Sequence, residues 1–274
     1  MMNTQEEIIE INKKQVEFYN YKSDKKNLPT KIWYYFREKT LKKIRKDIGV
    51  LNESYDIHKF WFGDLSNKKV LDLGCYAGNY WSMYLAEHSK KYIALDLSDV
   101  AIEKLALRIK PYTNAEAIAA DFLSEEFAEK DFDLIYAYGV LHHFQNTDVL
   151  IEKLNEKLAP GGVIISYDPL ETSLPIKIMR VLYRPFQSDK DWEWPFTKKT
   201  YFKFAKAFNI VERHGLLGQA KWYFIMNFVP FMSDNKKQII GKNWHKKDWD
   251  LSSKSDRHLF KCMHLTMLMQ KKLN

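Results

Sequence analysis

Cysteine is scarce in this chain. Its 274 residues include two, Cys75 and Cys262, with no C-x-x-C or Cys/His spacing, so no disulfide framework or zinc site organises it, and reduced thiols in a cytoplasmic protein are expected. Long apolar runs are missing too. The longest, WYFIMNFVPFM from Trp222 to Met232, is broken by Asn and Pro and falls short of the ~20 residues that a membrane-spanning helix needs. The opening MMNTQEEIIE is acidic and reads as no secretory signal, which would begin with a cationic region followed by an apolar one. There is no internal repeat and no low-complexity tract.

What is present argues for a packed globular protein. Hydrophobic residues make up 46% and aromatics 15%, enough for a large core and against disorder. The net charge of +8 is unevenly spread. Residues 1–69 carry 15 Lys/Arg against 10 Asp/Glu, residues 70–220 carry 17 against 21, and residues 221–274 carry 11 against 4. Basic flanks around a mildly acidic middle would suit phosphate, anionic lipid or RNA, and equally a solvated lysine-rich surface.

From Lys69 onward β-rich runs alternate with helical patterns. KVLDLGC (69–75), YIALDLS (92–98), AEAIAADF (115–122), FDLIYAYG (132–139) and GGVIISYDP (161–169) are almost continuously apolar, as parallel strands covered on both faces are. The segments between them space their apolar residues helically, and the last has Thr147 as its expected cap and stops at Pro160-Gly161. Repeated βα units predict a doubly wound, Rossmann-like α/β sheet whose ligands bind at the carboxyl ends of the strands. After the fifth strand the alternation breaks into an aromatic and proline-rich insertion, 170–196. A helix capped by Thr197, a strand at NIVERHGLL, a second insertion at 218–258 and a final strand at FKCMHLTMLMQK follow. Residues 1–68 are helical in pattern and read as an N-terminal cap on a domain running from 69 to 274.

The first βα turn, VLDLGCYAGNY, decides among ligands. A dinucleotide site needs G-x-G-x-x-G, but Tyr76 stands where the second glycine would let a pyrophosphate approach, and no Gly-Lys-Ser/Thr follows to make a P-loop. What remains is Asp72-x-Gly74 with Gly78. That turn suits a nucleoside without phosphates, a sulfonium amino acid joined to adenosine, with Asp72 placed to hold a cationic group or its solvent. Asp96 closes the second strand, where a carboxylate can accept from both ribose hydroxyls. Asp121 closes the third and is suited to an adenine amino group, with Phe122 against the base. An aspartate after a strand is also a common helix cap; three at successive strand ends point to a ligand.

These residues carry a resemblance. Asp72-Leu73-Gly74-Cys75 with Gly78, Leu95-Asp96, Ala120-Asp121-Phe122, FDLIYAYGVLHHF and LAPGGVIIS resemble the ordered motifs of class I S-adenosylmethionine-dependent methyltransferases, in the small-molecule branch of quinone and sugar methyltransferases, over roughly residues 60–170. The resemblance implies S-adenosyl-L-methionine as cofactor and a seven-stranded, mostly parallel sheet with a reversed last strand. It implies that Asp72, Gly74 and Gly78 flank the methionine moiety, that Asp96 holds the ribose, and that Asp121 and Phe122 hold the adenine, with Cys75 and Leu97 also in the cofactor site. It also implies that aromatics before the first strand close over the cofactor. Tyr19, Tyr21 and the WYYF cluster (33–36) are the candidates for that role and equally candidates for packed core.

Methyl transfer from a sulfonium needs alignment first and a base only where the nucleophile keeps its proton. Methyltransferases of planar amino groups resemble one another in an Asn/Asp-Pro-Pro-aromatic segment after the fourth strand; this chain has AYGVLHHF there. The resemblance therefore points to a hydroxyl, carbon or sugar amine acceptor. Tyr138 and Gly139 are expected to line the cofactor. His142 and His143 are candidate general bases, or caps and packing for the next helix. No i,i+4 ligand pair exists, so no metal is assigned. Tyr167, Asp168, Trp192, Glu193 and Trp194 are the candidate acceptor residues, since aromatic faces and a carboxylate suit a sugar ring. The aromatic and lysine-rich stretch 222–247 is either an interfacial segment on anionic lipid at the inner face of the membrane or a buried helix.

The expected function is methyl transfer to a small molecule in glycan, lipid or quinone biosynthesis. An RNA methyltransferase and a non-catalytic cofactor-binding protein are the alternatives; no RNA-binding module is recognisable, which disfavours nucleic acid.

Overall fold

The near-continuous apolar runs become strands covered on both faces. In the computed structural model, which describes residues 5–21, 31, 35, 38, 42–187 and 190–273, they are β1 (Lys69–Leu73), β2 (Lys91–Asp96), β3 (Ala115–Ala119), β4 (Phe132–Tyr138), β5 (Leu158–Pro169), β6 (Phe208–Leu216) and β7 (His264–Lys271). One sheet holds them in the order β3-β2-β1-β4-β5-β7-β6. β1 to β5 pair in parallel, and β7 runs antiparallel to both β5 and β6. This is the Rossmann-like sheet that the repeated βα units predict, with the reversed last strand that the resemblance implies.

Side chains alternate across the strands and feed two cores. Leu71, Ile93 and Ile135 pack on one face, and Val70, Tyr92, Leu134 and Tyr136 on the other, all completely buried. Each such leucine or isoleucine contributes about 1.5–3 kcal/mol by leaving water.

The order of strands reverses between β1 and β4, so the crevice at their carboxyl ends is where a ligand fits. The helices that frame it are α4 (Ser82–His88), α5 (Asp99–Ile109) and α6 (Thr147–Lys157). Ser98 caps α5 by accepting from Ala101 N. At α6 the cap is Asn146, whose side chain accepts from the backbone of Asp148 and Val149, and not Thr147, which is already the first helical residue. An amide oxygen there reaches two orphan donors of the first turn.

Ahead of the sheet come α1 (Gln5–Asn20), α2 (Lys43–Ile48) and α3 (Val50–Phe62). α3 is riveted by a buried histidine. Thr266 Oγ1 donates to Ser166 O, so it accepts from His58 Nε2 at 2.6 Å, and Tyr136 O–H donates to the remaining ring nitrogen, Nδ1, at 3.1 Å. Burial lowers the His58 pKa to about 3, and the neutral ring satisfies both partners.

The insertion after β5 carries α7 (Leu174–Tyr183), and α8 (Lys198–Ala207), capped by Thr197, leads into β6. The insertion after β6 carries a 3-10 turn (Ala220–Phe228), α9 (Asp234–Lys254) and α10 (Asp256–Leu259). α9 packs against β6 and α2.

Candidate cofactor and acceptor site

The turn after β1 is held open by backbone and a buried carboxylate. Gly74, Tyr76 and Gly78 all have positive φ (66°, 51° and 100°). A side chain on Gly74 would meet Val140 Cγ2 at 2.3 Å, so only glycine lets the β1 and β4 loops close on each other. Asp72 is wholly buried beneath. One oxygen accepts from Asn79 Nδ2 (2.7 Å), the other from Ser82 Oγ (2.6 Å) and Tyr92 O–H (2.8 Å). Burial raises its pKa to about 6 against the pull of those donors. Asp72 thus fastens the turn to β2 and α4.

Around this turn lies a cavity of about 550 Å³, within the size range of small-molecule sites. Gly74, Tyr76, Asp96, Leu97, Asp121, Phe122, Gly139, His143 and Trp194 line it. Asp72, Cys75, Gly78 and Tyr138 do not. Cys75 is buried beneath the turn, and Tyr138 stacks on Tyr167 at 4.8 Å, beside the lining residue Gly139.

Two carboxylates at successive strand ends face the cavity. Asp96 accepts from Tyr76 N (2.8 Å) and Ser98 N (2.9 Å). Asp121 accepts from Leu123 N (2.9 Å) and from Asn12 Nδ2 (2.7 Å). A carboxylate has about four acceptor positions, so Asp121 retains capacity after these bonds.

Asn12 was not legible as a site residue. It belongs to α1, which crosses the cavity mouth and also bonds through Asn20 to Ser98 Oγ and Asp99 (both 2.6 Å). Ile11, Asn12, Gln15 and Tyr19 join the lining from this helix. Of the aromatics expected to close over the site, Tyr19 lines it, while Tyr21 and Tyr35 are exposed; Trp33, Tyr34 and Phe36 lie outside the described residues. Polar residues on an ordinary amphipathic helix give no signal in the sequence.

The two histidines part company. His143 lines the cavity, and its Nδ1–H donates to Trp192 O at 2.8 Å. His142 is buried away from the cavity, with Nδ1 at 2.9 Å and backbone N at 3.1 Å from Asp168 Oδ1. Burial pushes His142 well below the usual imidazole range and raises Asp168 to about 7. Both groups are driven toward neutral forms, so this contact is a hydrogen bond rather than an ion pair at neutral pH. His142 also accepts, through its carbonyl, from Trp194 N, which seats the 192–194 segment over the strand end.

The acceptor candidates gather at the carboxyl ends of β4 and β5, beside the start of the antiparallel β7. Trp194 faces the cavity. Trp192 is buried with Phe18 edge-on at 5.3 Å, Glu193 accepts from Gln187 Nε2 (3.0 Å), and Tyr167 is sandwiched between Tyr138 and His264. Among the described residues no three His, Cys, Asp or Glu side chains gather to hold a metal. No described helix is long and apolar enough to cross a membrane. In the 222–247 stretch Ile225, Phe228 and Phe231 are exposed while Tyr223 and His245 are buried, so it is neither wholly an interfacial segment nor wholly core.

Residues 54–217 match the family model described as a methyltransferase domain. The chain belongs to that family. Its sheet is that of the class I S-adenosylmethionine-dependent methyltransferases, as a comparison of folds bears out: N-methyltransferase NodS of Bradyrhizobium japonicum superposes with a TM-score of 0.52 at 17% identity, over 81% of this chain and 87% of that one. This methyltransferase is 32% identical to phosphoethanolamine N-methyltransferase 1 of Triticum aestivum over 108 residues, 38% of this chain and 21% of that one. It is 23% identical to demethylmenaquinone methyltransferase of Staphylococcus saprophyticus over 162 residues, 52% and 69% of the two chains. Several curated relatives are matched over less than half of their length.

Proposed function

We propose that this methyltransferase transfers a methyl group from S-adenosylmethionine to a small-molecule acceptor through a hydroxyl, carbon or sugar amine, in glycan, lipid or quinone biosynthesis. The observation that carries the reading is the cavity itself: Asp96 and Asp121 at consecutive strand ends face one space that opens beside Gly74 and Gly139. That lining fits an adenosine bearing an amino acid. Asp96 would accept from the ribose hydroxyls and Asp121 from the adenine amino group, while Leu97 and Phe122 cover the base. When bound, S-adenosylmethionine supplies a methyl group already activated on a sulfonium.

The chain's own residues then have alignment as their main task. α1 covers the cavity and excludes water through Ile11 and Tyr19. A side chain placed on Gly139 would meet nothing within 4 Å, so the end of β4 leaves room for the acceptor to approach. His143 is the candidate base. Its Nδ1–H is committed to a carbonyl, so Nε2 is the basic nitrogen of the neutral ring and accepts the proton of a hydroxyl acceptor. His142 and Asp168 act as positioning residues, because they hold the 141–143 turn and the Trp194 segment together.

Calorimetry of S-adenosylmethionine and S-adenosylhomocysteine on wild type, Asp96→Ala and Asp96→Asn tests this reading. Wild type should bind at micromolar concentrations, and loss of a charged acceptor for two hydroxyls should weaken binding about 100-fold in Asp96→Ala. Failure of a folded wild type to bind either ligand would overturn the reading.

A further inference from the structure

The edge of the sheet beyond Tyr138 holds buried hydrogen-bond donors that no described residue satisfies. β7 begins at His264, in register with Pro169 of β5 and Leu216 of β6. Its ring stacks on Tyr167 at 5.3 Å, and Tyr167 stacks on Tyr138 at 4.8 Å. This ladder leads from the cavity wall at Gly139 outward. On its far side Arg45 of α2 brings Nη2 to 2.6 Å from His264 Nε2.

A guanidinium only donates, so His264 Nε2 accepts and the neutral ring carries its hydrogen on Nδ1. That Nδ1–H is buried without a partner among the described residues, as are Arg45 Nε–H and Tyr167 O–H. Three donors around one stacked pair thus lack acceptors there, and Arg180 Nε–H is a further buried donor without a hydrogen bond. Arg180 adds a second cation on the same histidine, and burial, with Arg45 and Arg180, drives the His264 pKa down. The two arginines differ in one respect. Arg180 stands near Glu171 (3.7 Å) and Glu193 (3.8 Å), whereas among the described residues no carboxylate pairs with Arg45. Asp168 is the next residue along β5, so it faces the other side of the sheet, with His142.

Each buried donor left unsatisfied keeps its desolvation penalty, and a half-buried cation without a counter-ion costs more. Native proteins retain few such groups, and clusters of them mark places completed by something else. A neutral ligand would satisfy the tyrosine and histidine but leave the guanidinium uncompensated. An anionic oxygen acceptor satisfies all three.

We infer that the acceptor of this methyltransferase carries an anionic group, a phosphate or a carboxylate, which Arg45 binds together with His264 and Tyr167. The inference rests on the reading of the β4–β5–β7 edge as the acceptor side. In that arrangement the anion is held at the outer end of the ladder, and the methylated atom reaches past Tyr138 toward Gly139 and His143. Arg45 and His264 lie outside the family-matched region 54–217 while Tyr167 lies within it, so acceptor selection draws partly on chain beyond the shared domain.

The test is a calorimetric titration of methyl phosphate, inorganic phosphate and acetate into protein saturated with S-adenosylhomocysteine. Wild type should bind at least one of these anions at millimolar concentration. Arg45→Gln should weaken that binding about tenfold and Arg45→Lys less, since lysine keeps the charge without the fork. Tyr167→Phe, which preserves the stack, should weaken it several-fold and confirm the site in a variant that keeps its fold. S-adenosylhomocysteine affinity should stay within about twofold throughout. Preference for methyl phosphate would assign a phosphorylated acceptor, and preference for acetate a carboxylated one. Absence of binding by all three anions, or equal binding to Arg45→Gln, would overturn the inference while leaving the methyltransferase reading intact; failure of wild type to bind S-adenosylhomocysteine would instead undo that reading.

Discussion

At the carboxyl ends of β1, β2 and β3 every carboxylate oxygen of Asp72, Asp96 and Asp121 accepts a hydrogen bond from the protein, whereas at the ends of β5 and β7 Tyr167, Asp168 and His264 each keep a buried polar atom that no described residue bonds. The first region is set before any ligand arrives. Tyr76 N and Ser98 N fix Asp96, and Leu123 N fixes Asp121, so the geometry comes from backbone and does not depend on which acceptor is used. The second region draws its side chains from β5, β7, α2 and the insertion after β5, and on the inference above its polar groups are completed by the acceptor. A shared methyl donor with a variable acceptor calls for that division.

The largest test of the division lies at the seam. His58 joins α3 to Tyr136 of β4 and to Thr266 of β7, one on each side of β5. Its folded pKa, about 3, lies below the ordinary 6.5. As pH falls below about 6.5 the unfolded chain takes up a proton that the folded one refuses, so stability declines until about pH 3, by on the order of 5 kcal/mol for so large a shift. Asp72 and Asp168 oppose part of this, and His142, lowered by burial like His58, adds to it. The two carboxyls are raised from 3.8 to about 6 and about 7, so ionisation between about pH 4 and 7 removes stability as pH rises. Melting curves from about pH 4 to 8 should therefore show wild type losing stability toward acid, and His58→Gln, less stable at about pH 7, should flatten that slope. An unchanged slope in the variant would mean that the seam is held by other contacts.

How much of each region could be read from the sequence follows the same line. The strands of the donor half were legible because both faces are buried and their apolar runs are unbroken, and Asp96 and Asp121 because strand ends are positions of fixed geometry. Asp72 was legible as a residue but not in its surroundings: Asn79, Ser82 and Tyr92 reach it from three places in the chain, and no spacing announces that. The cap of α6 slipped by one residue, from Thr147 to Asn146, because both side chains can cap and only backbone conformation chooses between them. The acceptor half was harder. Tyr167 stood out at a strand end, yet His264, which stacks on it, and Arg45, which bonds His264, lie 97 and 122 positions from it in the numbering and are joined only by the fold. Arg45 sits in an ordinary lysine-rich helix, where a cation reads as solvated surface.

A smaller effect sharpens the donor side. α1 is tied across the cavity by Asn12 to Asp121 and by Asn20 to Ser98 and Asp99. Asn12→Ala removes one charge-assisted bond at a half-buried position and should weaken S-adenosylhomocysteine binding about threefold to tenfold, close to ~1 kcal/mol, with anion binding at the acceptor edge unchanged. Equal losses at both sites would show that α1 orders the whole crevice and that the two regions are not independent.

The smallest expected effect concerns the outer surface of the acceptor half. The 3-10 turn and the loop before α9 present Ile225, Phe228 and Phe231 to solvent, the last with its whole side chain exposed at 107%, and α9 adds the exposed Lys236, Lys242, Lys246 and Lys247. Apolar rings beside lysines suit an anionic bilayer surface, and a lipid-linked acceptor would be delivered there. Tyr223 and His245 turn inward from the same segment, so only its outer face is available and weak binding is expected. In sedimentation with vesicles containing phosphatidylglycerol, Phe231→Ser should lower the bound fraction about threefold, and vesicles of phosphatidylcholine alone should bind less than anionic ones. Indifference to both changes would confine the acceptor half to free small molecules, and the exposed rings would then be ordinary scattered surface residues.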